Sequence, residues 1–498
     1  MRLLFRCDAS TTIGAGHLMR CLSIADLAAS RGDECHFFCA DLPGFDSAQV
    51  IARQHGLTLL PAQPDWRSLY RAIMAWGGSD WLIVDHYQLD CRWEQPLAAL
   101  FPQQLVLDDL ADRSHEATRL LDITPYRQPA DYGESRFEEV PLLGPGYAPL
   151  RPEFAKLRPA ALARRASNSR IRRLLLSLGA MDSDNHLSRI LPLLDQLPIP
   201  ALEIDLVLAS KAPHIDALKE VMAKSRHHVK LHLNANNMAE LMLQADLAIG
   251  AGGTSCWERA TLALPTLLFT LADNQLENAR RLAQASAVIW LGDLRMLDDE
   301  QLLQQLLVHW PNQETLLQLG KHSAALCDGT GAQRLLQKLT SQQHSYWLQP
   351  VREEDAEWIW RWQQDAVTRR YSRNPDCPPL GEHKTWLHGA LQNPQRWLFK
   401  VMSVTGPCAV VRLDEPCKPE GYNEVSIYVD PDQHQRGHGK RALNLLHQLF
   451  PWFTFHAYIS PENQGSLALF QSAGYQCSST QNWFHFSPKE TFHASVHY

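Results

Sequence analysis

No run of this chain approaches the ~18 consecutive apolar residues of a membrane-spanning helix, so a span is not expected. Positive charge is short as well. Lys and Arg number 47 against 54 Asp and Glu, and the net charge of −7 argues against nucleic acid or an anionic membrane as the main partner. A local basic pocket stays compatible with that total. The opening residues Met1 to Asp8 carry charge too early for the apolar core of a signal peptide, and a cytoplasmic protein is expected. The 11 cysteines are odd in number, scattered and never spaced C-x-x-C, which favours neither a disulfide framework nor a zinc site. Cys35 and Cys39, with His36 between them, suit a buried strand better than a metal site. The dinucleotide fingerprint G-x-G-x-x-G is missing, and no repeat relates the first third of the chain to the second. What is there is an ordinary globular composition, 45% hydrophobic and 20% charged, in 498 residues. That is too long for one core, and two to four domains are expected.

The stretch Cys7 to Arg20 joins a short apolar run, Leu3-Leu4-Phe5, to helically spaced Leu18, Leu22, Ala25 and Ala28, a pattern that Gly32 ends. The loop between them lies at the carboxyl end of a strand, where open α/β sheets hold their ligands. Gly14 and Gly16 allow a phosphate to approach the following helix, and His17 is the first side chain in line with it. From loop chemistry alone His17 serves equally as a base or as a packing residue. The order Asp8, Ile13-Gly14-x-Gly16-His17-x-x-Arg20 resembles the start of the nucleotide-sugar hydrolase family of pseudaminic acid biosynthesis, which removes UDP from UDP-2,4-diacetamido-2,4,6-trideoxy-β-L-altropyranose. The resemblance implies that His17 is the general base that activates water.

Apolar runs at Cys35 to Ala40, Leu57 to Leu60, Trp81 to Val84 and Leu105 to Leu107 alternate with helical stretches up to about residue 155, the rhythm of a parallel sheet with crossover helices. Two of them end in acidic clusters, Asp85-His86-Tyr87-Gln88-Leu89-Asp90 and Asp108-Asp109, at the edge expected for His17. The first resembles the family's Asp-x-Tyr-x-x-Asp stretch, whose tyrosine, here Tyr87, reaches the sugar. Asp108 and Asp109 serve as well as helix N-caps. By the same resemblance the expected catalytic group is His17, Tyr87 and Asp8, with Gly14, Gly16 and Arg20 on the UDP-sugar. Gly144 to Phe154 resembles the family's segment before the domain crossover, and the Arg-, Ala- and Ser-rich stretch Arg158 to Arg173 is expected to link two domains.

A second α/β region follows, with strands expected at Arg173 to Leu178, Ile204 to Leu208, Val229 to Leu233, Leu247 to Gly250 and Thr266 to Phe269. Its sharpest feature is Gly250-Ala251-Gly252-Gly253-Thr254-Ser255-Cys256-Trp257-Glu258, where a strand ends, glycines permit close approach and a helix begins. The physical reading is a diphosphate cradle at Gly252, Gly253, Thr254 and Ser255, with Glu258 on ribose hydroxyls; the competing one is helix–strand packing. The segment resembles that of the hydrolase and of UDP-N-acetylglucosamine transferases. Ala272-Asp273-Asn274-Gln275 matches the family's A-x-N-Q and adds Asn274 to the UDP site. The resemblance implies two Rossmann-like domains, 1–157 and 170–340, in a GT-B arrangement with the nucleotide-sugar between them.

Ser341 to Ser345 is a polar bridge, and the composition then turns rich in tryptophan, with Trp358, Trp360 and Trp362 on one segment. Tyr422 to Asp430 alternates as a half-buried strand and runs into His434-Gln435-Arg436-Gly437-His438-Gly439-Lys440, a turn whose amides suit pyrophosphate. The spacing resembles the [QR]-x-x-G-x-[GA] loop of the GNAT superfamily of N-acetyltransferases, with His434 where Gln or Arg is usual. About thirty residues on, Asn463 to Tyr475 resembles the second half of that fold. Many members carry a tyrosine acid where this chain has Phe470, so the departing thiolate must take its proton elsewhere. A third, α/β GNAT domain is expected over 345–490, with Val429, His434, Arg436, Gly437, Gly439, Lys440 and Asn463 on acetyl-CoA and Glu424 as a base for the amine or an ordinary strand carboxylate. Leu348 to Trp362 and Glu382-His383-x-x-Trp386 resemble the opening of acetyltransferases that act on amino sugars.

Together these implications describe a bifunctional enzyme that acetylates a UDP-amino sugar with acetyl-CoA as cosubstrate and hydrolyses the product with inversion, using no metal and no cofactor for the hydrolysis. The alternative is a GT-B glycosyltransferase with a C-terminal coenzyme- or nucleotide-sugar-binding module. Since the motifs of each reaction fall on one side of Gln343, a cut there is expected to give two independent soluble pieces.

Overall fold

In the computed structural model, residues 1–167, 170–339, 346–372, 376–416, 422–477 and 483–487 are described; the polar bridge at 341–345 lies outside them. Among the described residues no helix is long and apolar enough to cross a membrane.

The first sheet runs, edge to edge, Gly56–Leu60, Glu34–Ala40, Arg2–Cys7, Trp81–Asp85, Gln104–Leu107, Arg119–Asp122 and Leu142–Leu143. Every pairing in it is parallel. Strand order reverses beside Arg2–Cys7, so the loops after Cys7 and Asp85 open on one crevice. Arg2–Cys7 is apolar because both its faces are covered. Leu3, Phe5 and Cys7 pack under the helix Gly16–Ala29, and Leu4 faces the other way, toward Tyr70 and Trp93.

The second sheet, His228–Leu233, Glu203–Leu208, Arg173–Ser177, Leu247–Ala251, Thr266–Thr270 and Ile289–Asp293, repeats this order and is also parallel. Its last strand was not among those expected. The segment expected to be a linker is mostly a helix, Pro152–Ser167, which lies on the second domain: Arg158 donates to the carbonyls of Thr261, Ala324 and Cys327, and Arg164 pairs with Asp246. The helix Gly331–Lys338 then returns to the first domain and buries Leu335 and Leu336 in the same core as Leu18 and Cys21. Two opposed helices therefore tie the Rossmann-like domains together.

The third sheet is antiparallel through Tyr346–Pro350, Arg396–Ser403, Gly406–Asp414 and Asn423–Val429. Phe455–Tyr458 pairs in parallel with the last of these, but only at Asn423 and Glu424. Beyond that point the two strands part, leaving one edge of Val425–Val429 outside their ladder.

This third domain is not a bead on a tether. One apolar core runs from Leu4, Tyr70 and Trp93 of the first domain into Trp397, Phe450 and Phe455 of the third. The ring of Trp66 lies 5.8 Å from Trp397 and 5.5 Å from Phe453. Arg67 forms a bidentate pair with Glu415, its first arm at 2.6 Å, Arg71 stacks 3.8 Å above the Trp397 ring, and the Tyr70 hydroxyl donates to the Leu449 carbonyl at 3.0 Å. The expectation of two independent pieces on either side of Gln343 is therefore corrected, because a cut there would leave both fragments with an exposed aromatic face.

Candidate functional site

At the crevice of the first sheet, Asp85 closes its strand with no exposed surface and collects three groups. His17 Nδ1 lies 2.5 Å from Oδ1; Arg20 donates from Nε to Oδ2 at 2.9 Å and from Nη2 to Oδ1 at 2.8 Å. Arg20 Nη2 also lies 3.0 Å from His17 Nδ1. A guanidinium only donates and a carboxylate only accepts, so the hydrogen on Nδ1 goes to Asp85 and Arg20 is satisfied by the same carboxylate. His17 then presents Nε2 as the lone-pair nitrogen. Burial alone would raise the Asp85 carboxyl, but Arg20 and His17 outweigh it and lower it to about 2. Asp85 was not among the expected site residues. Its signs were an acidic residue ending a buried strand at the edge expected for His17 and its place as the first aspartate of the Asp-x-Tyr-x-x-Asp stretch.

Tyr87 follows on the same loop, its ring edge-on to His17 with centroids 4.3 Å apart. Burial and the Asp109 carboxylate push its hydroxyl above the ordinary phenol value, which makes it a proton donor. Arg20 reaches Asp109 through Nη1 at 2.6 Å. Asp8, expected in the catalytic group, is spoken for: it accepts from both Arg6 terminal nitrogens, from the Ala40 amide at 2.7 Å, and pairs with His86 Nε2 at 3.0 Å. Burial opposes its ionisation, yet His86 and Arg6 hold it well below the ordinary carboxylate range. Asp8 is placed to fix the strand end and His86, and it has no face left for a substrate. Asp108 is taken up by Arg113, the Ala111 amide and the Tyr132 hydroxyl.

Across the cleft, the loop after Leu247–Ala251 faces this group. A β-carbon on Gly16 would lie 3.7 Å from Thr254 Cγ2, so the histidine loop and the second domain's glycine loop are neighbours. Gly253 has open space around its α-carbon, and in the first turn of the helix Ser255–Thr261 the amides of Cys256 and Trp257 donate back to the carbonyls of Gly253 and Thr254 at 3.0 and 3.1 Å. Buried Arg259 braces this loop from below, donating to the Ala251 carbonyl at 2.8 Å and the Ser255 hydroxyl at 3.0 Å. Gly250 is glycine for the same reason, because a β-carbon there would sit 2.6 Å from an Arg259 nitrogen. Glu258, raised by burial, stands 3.5 Å from Arg151 of the crossover segment. Asn274 is exposed in the turn Asp273–Gln275, while Asn278 donates to the Gly252 carbonyl at 3.1 Å. Arg281 closes the far side by donating to the Pro125 carbonyl of the first domain at 3.0 Å. Arg259, Asn278 and Arg281 were missed because arginine and asparagine in helices have no motif, and Arg151, just before the helix Pro152–Ser167, because its partner Glu258 is fixed only by the tertiary arrangement. Among the described residues, no group of three or more His, Cys, Asp and Glu could hold a metal ion.

In the third domain Gly437 takes a left-handed conformation, φ 80°, and starts the helix His438–Leu449. His434, Arg436 and Lys440 are exposed around that turn, His434 Nε2 lies 3.3 Å from the Val429 carbonyl, and Val429 ends the strand that has lost its neighbour. Gly439 differs in its reason. It is buried within the helix, where a β-carbon would come 2.9 Å from Leu469 Cδ2, so its demand is for packing between two helices. Asn463 caps the helix Gln464–Ser472 through the Ser466 amide at 3.0 Å. Phe470 is buried with its ring 4.8 Å from that of Tyr475, whose hydroxyl meets His447 Nε2 at 3.0 Å. Glu424 lies on the strand face shared with Ser426 and Tyr428.

Residues 346–476 match the acetyltransferase (GNAT) domain family, and residues 192–335 match the glycosyltransferase family 28 C-terminal domain. The chain is 31% identical over 204 residues to the spore coat polysaccharide biosynthesis protein SpsG of Bacillus subtilis, covering 40% of this chain and 59% of that protein. It is homologous to the UDP-2,4-diacetamido-2,4,6-trideoxy-β-L-altropyranose hydrolase of Campylobacter jejuni, 25% identical over 289 residues, which is 57% of this chain and 97% of the hydrolase. The chain thus spans less than two thirds of the Bacillus protein but nearly all of the Campylobacter one. In fold, MurG of Acinetobacter baumannii superposes with a TM-score of 0.52 at 15% identity, over 68% of this chain and 99% of MurG. The architecture is therefore two Rossmann-like domains in a GT-B arrangement followed by an α/β GNAT domain.

Proposed function

We infer that this chain is a bifunctional enzyme of pseudaminic acid biosynthesis. Its third domain acetylates the 4-amino group of UDP-4-amino-4,6-dideoxy-N-acetyl-β-L-altrosamine, and its first two hydrolyse UDP-2,4-diacetamido-2,4,6-trideoxy-β-L-altropyranose. The observation that carries the reading is the His17–Asp85 pair standing across the cleft from the Gly252–Ser255 loop. Homology to the Campylobacter hydrolase and the GNAT domain in the same chain support the substrate and the pairing of activities.

In the hydrolytic step, water attacks the anomeric carbon and gives its proton to His17 Nε2, while the bond from that carbon to the β-phosphate oxygen breaks and UDP leaves with the electron pair. The positive charge formed on His17 is stabilised by ionised Asp85. Amides at Gly253, Thr254 and Ser255 take the charge that develops on the diphosphate, and Glu258 holds the ribose. Attack from the face opposite UDP inverts the anomeric centre. Asp8 has a positioning role, and a base in line with a held water accounts for ~10²- to 10⁴-fold of the rate.

For acetyl transfer, the pyrophosphate of acetyl-CoA lies on the turn at His434 to Gly439, next to Arg436 and Lys440. Its pantetheine amides take the free edge beside Val429, where the sheet has opened. The amine nitrogen attacks the thioester carbonyl, the carbon–sulfur bond breaks, and Glu424 takes the proton lost by the amine. Phe470 cannot protonate the thiolate, so solvent does.

The test is mass spectrometry of the products formed by the whole protein from acetyl-CoA and the UDP-amino sugar. The expected products are coenzyme A, UDP and the free diacetamido sugar. A glycosyltransferase, the reading that the family 28 match alone would favour, would release no free sugar without an acceptor.

A further inference from the structure

Five side chains close a ring at the crevice. His17 pairs with Asp85, Asp85 receives Arg20, Arg20 Nη1 reaches Asp109 at 2.6 Å, the Asp109 carboxylate accepts from the Tyr87 hydroxyl, and the Tyr87 ring stands edge-on to His17. His17 and Arg20 are fixed by a helix and Asp85 by its strand. Asp109 and Tyr87 stand beyond the ends of their strands, so other groups must hold them. Asp109 is held through its carbonyl, which receives Arg127 Nη2 at 2.9 Å.

Tyr87 is held by a residue of the neighbouring loop. Arg113 donates from Nη2 to the His86 carbonyl and from Nε to the Leu89 carbonyl, each at 2.9 Å, so one guanidinium grips the chain on both sides of Tyr87. Its remaining arm, Nη1, lies 2.8 Å from Asp108 Oδ1. Asp108 also accepts from the Ala111 amide at 2.8 Å, in a turn where Ala111 takes φ 55°. A residue with a β-carbon keeps that conformation only where its surroundings impose it. The buried Asp108 carboxylate thus bends the loop that follows Gln104–Leu107 and aims Arg113 at the loop that follows the adjacent strand Trp81–Asp85. The task suits arginine, whose planar fork of donors is rigid, and not lysine, which offers one ammonium.

We propose that Arg113 is a positioning residue of the hydrolase reaction: it fixes the loop 86–89 so that Tyr87 stays against His17 and Nε2 stays turned to the attacking water. The inference rests on the hydrolase reading and deepens it. Arg113 touches neither the sugar nor the water, and its effect passes through Tyr87. A displacement of about 1 Å at a reacting group can cost ~10²-fold in rate, so slackening this loop falls on kcat. UDP itself, held by the second domain, does not sense it.

The experiment is a cycle of Arg113→Lys, Tyr87→Ala and the double variant in the whole protein, with UDP release from the diacetamido UDP-sugar and inhibition by UDP measured for each. Lysine keeps the charge opposite Asp108 but cannot span both carbonyls. The expected result is a kcat lowered about tenfold by Arg113→Lys in the wild-type background and about twofold or less in the Tyr87→Ala background, with the inhibition constant of UDP unchanged. Equal losses in both backgrounds, a wild-type kcat in either single variant, or inhibition by UDP weakened in step would overturn the assignment and leave Arg113 as a general support of the fold. Acetyl transfer by the same preparations reports folding, because the third domain shares a core with the first. Should Arg113→Lys lose it, the neutral pair Asp108→Asn with Arg113→Gln takes its place, and loss in that variant as well would also overturn the assignment. If the wild-type protein releases no UDP from the sugar, the hydrolase reading itself fails, an outcome distinct from the others.

Discussion

His17 Nδ1 and Asp85 Oδ1 are separated by 68 residues in the chain and 2.5 Å in the fold. His17 stands in the first turn of the helix that follows the strand Arg2–Cys7, Asp85 closes the neighbouring strand, and the pairing of those two strands brings them together. Asp85→Asn should therefore lower UDP release by ~10²- to 10⁴-fold, because an amide can donate to Nδ1 and leave the hydrogen on Nε2, the wrong nitrogen for a base. Steady-state kinetics would show the loss in kcat, with acetyl transfer continuing. A kcat within a factor of three of wild type would remove the base role from His17.

The same carboxylate has a signature in acid. Asp85 is held at about 2 in the folded protein, below the ordinary 3.8. Its ionised form thus contributes on the order of 2 kcal/mol above pH ~4, and the contribution is lost as pH falls through about 2. In urea unfolding, Asp85→Asn should be less stable than wild type at pH 7, and the gap should narrow toward pH 2.5. A gap independent of pH would mean that the ion pairs with Arg20 and His17 are not what the substitution removes.

Gly439→Ala separates packing from phosphate binding at the coenzyme turn. The new methyl meets Leu469 Cδ2 at 2.9 Å, so the variant should lose about 1–3 kcal/mol of stability and bind acetyl-CoA more weakly. Adding Leu469→Ala should restore coenzyme binding, measured by calorimetric titration. Failure of the second substitution to rescue would return Gly439 to the phosphate itself.

The aromatic seam at Trp66 should make the first and third domains unfold together. Trp66→Ala should cost about 3–5 kcal/mol, with acetyltransferase activity and the first domain lost in a single thermal transition. A fragment beginning at residue 346 should aggregate when expressed alone. A soluble, active fragment would mean that the seam is dispensable to the third domain.

Much of the architecture was written in local pattern. Buried strands such as Leu3-Leu4-Phe5 and Leu247–Ala251 are short apolar runs bounded by turn residues, and a parallel sheet has to cover both faces of such runs with helices. Glycine, hydroxyl and histidine motifs at strand ends could be read for the same reason: the α/β fold presents that edge, so the loops at His17, Tyr87 and Thr254 had to share it within each sheet. The strand Tyr422 to Asp430 and the turn at Gly437 belong to the same class of local signals.

Tertiary structure decided everything that depends on a partner distant in sequence. That Asp85, and not Asp8, orients His17 follows from which strand lies beside which; Asp8 is spent on Arg6 and His86. Arg259 under Gly250 and Leu469 against Gly439 are contacts between surfaces, for which helical spacing carries no sign. The seam from Trp66 to Trp397 shows this most plainly. Sequence shows the tryptophans and a change of composition after residue 340, but whether an apolar face is covered by its own domain or by a neighbour is settled only when the faces meet, because the hydrophobic effect rewards burial without specifying the partner.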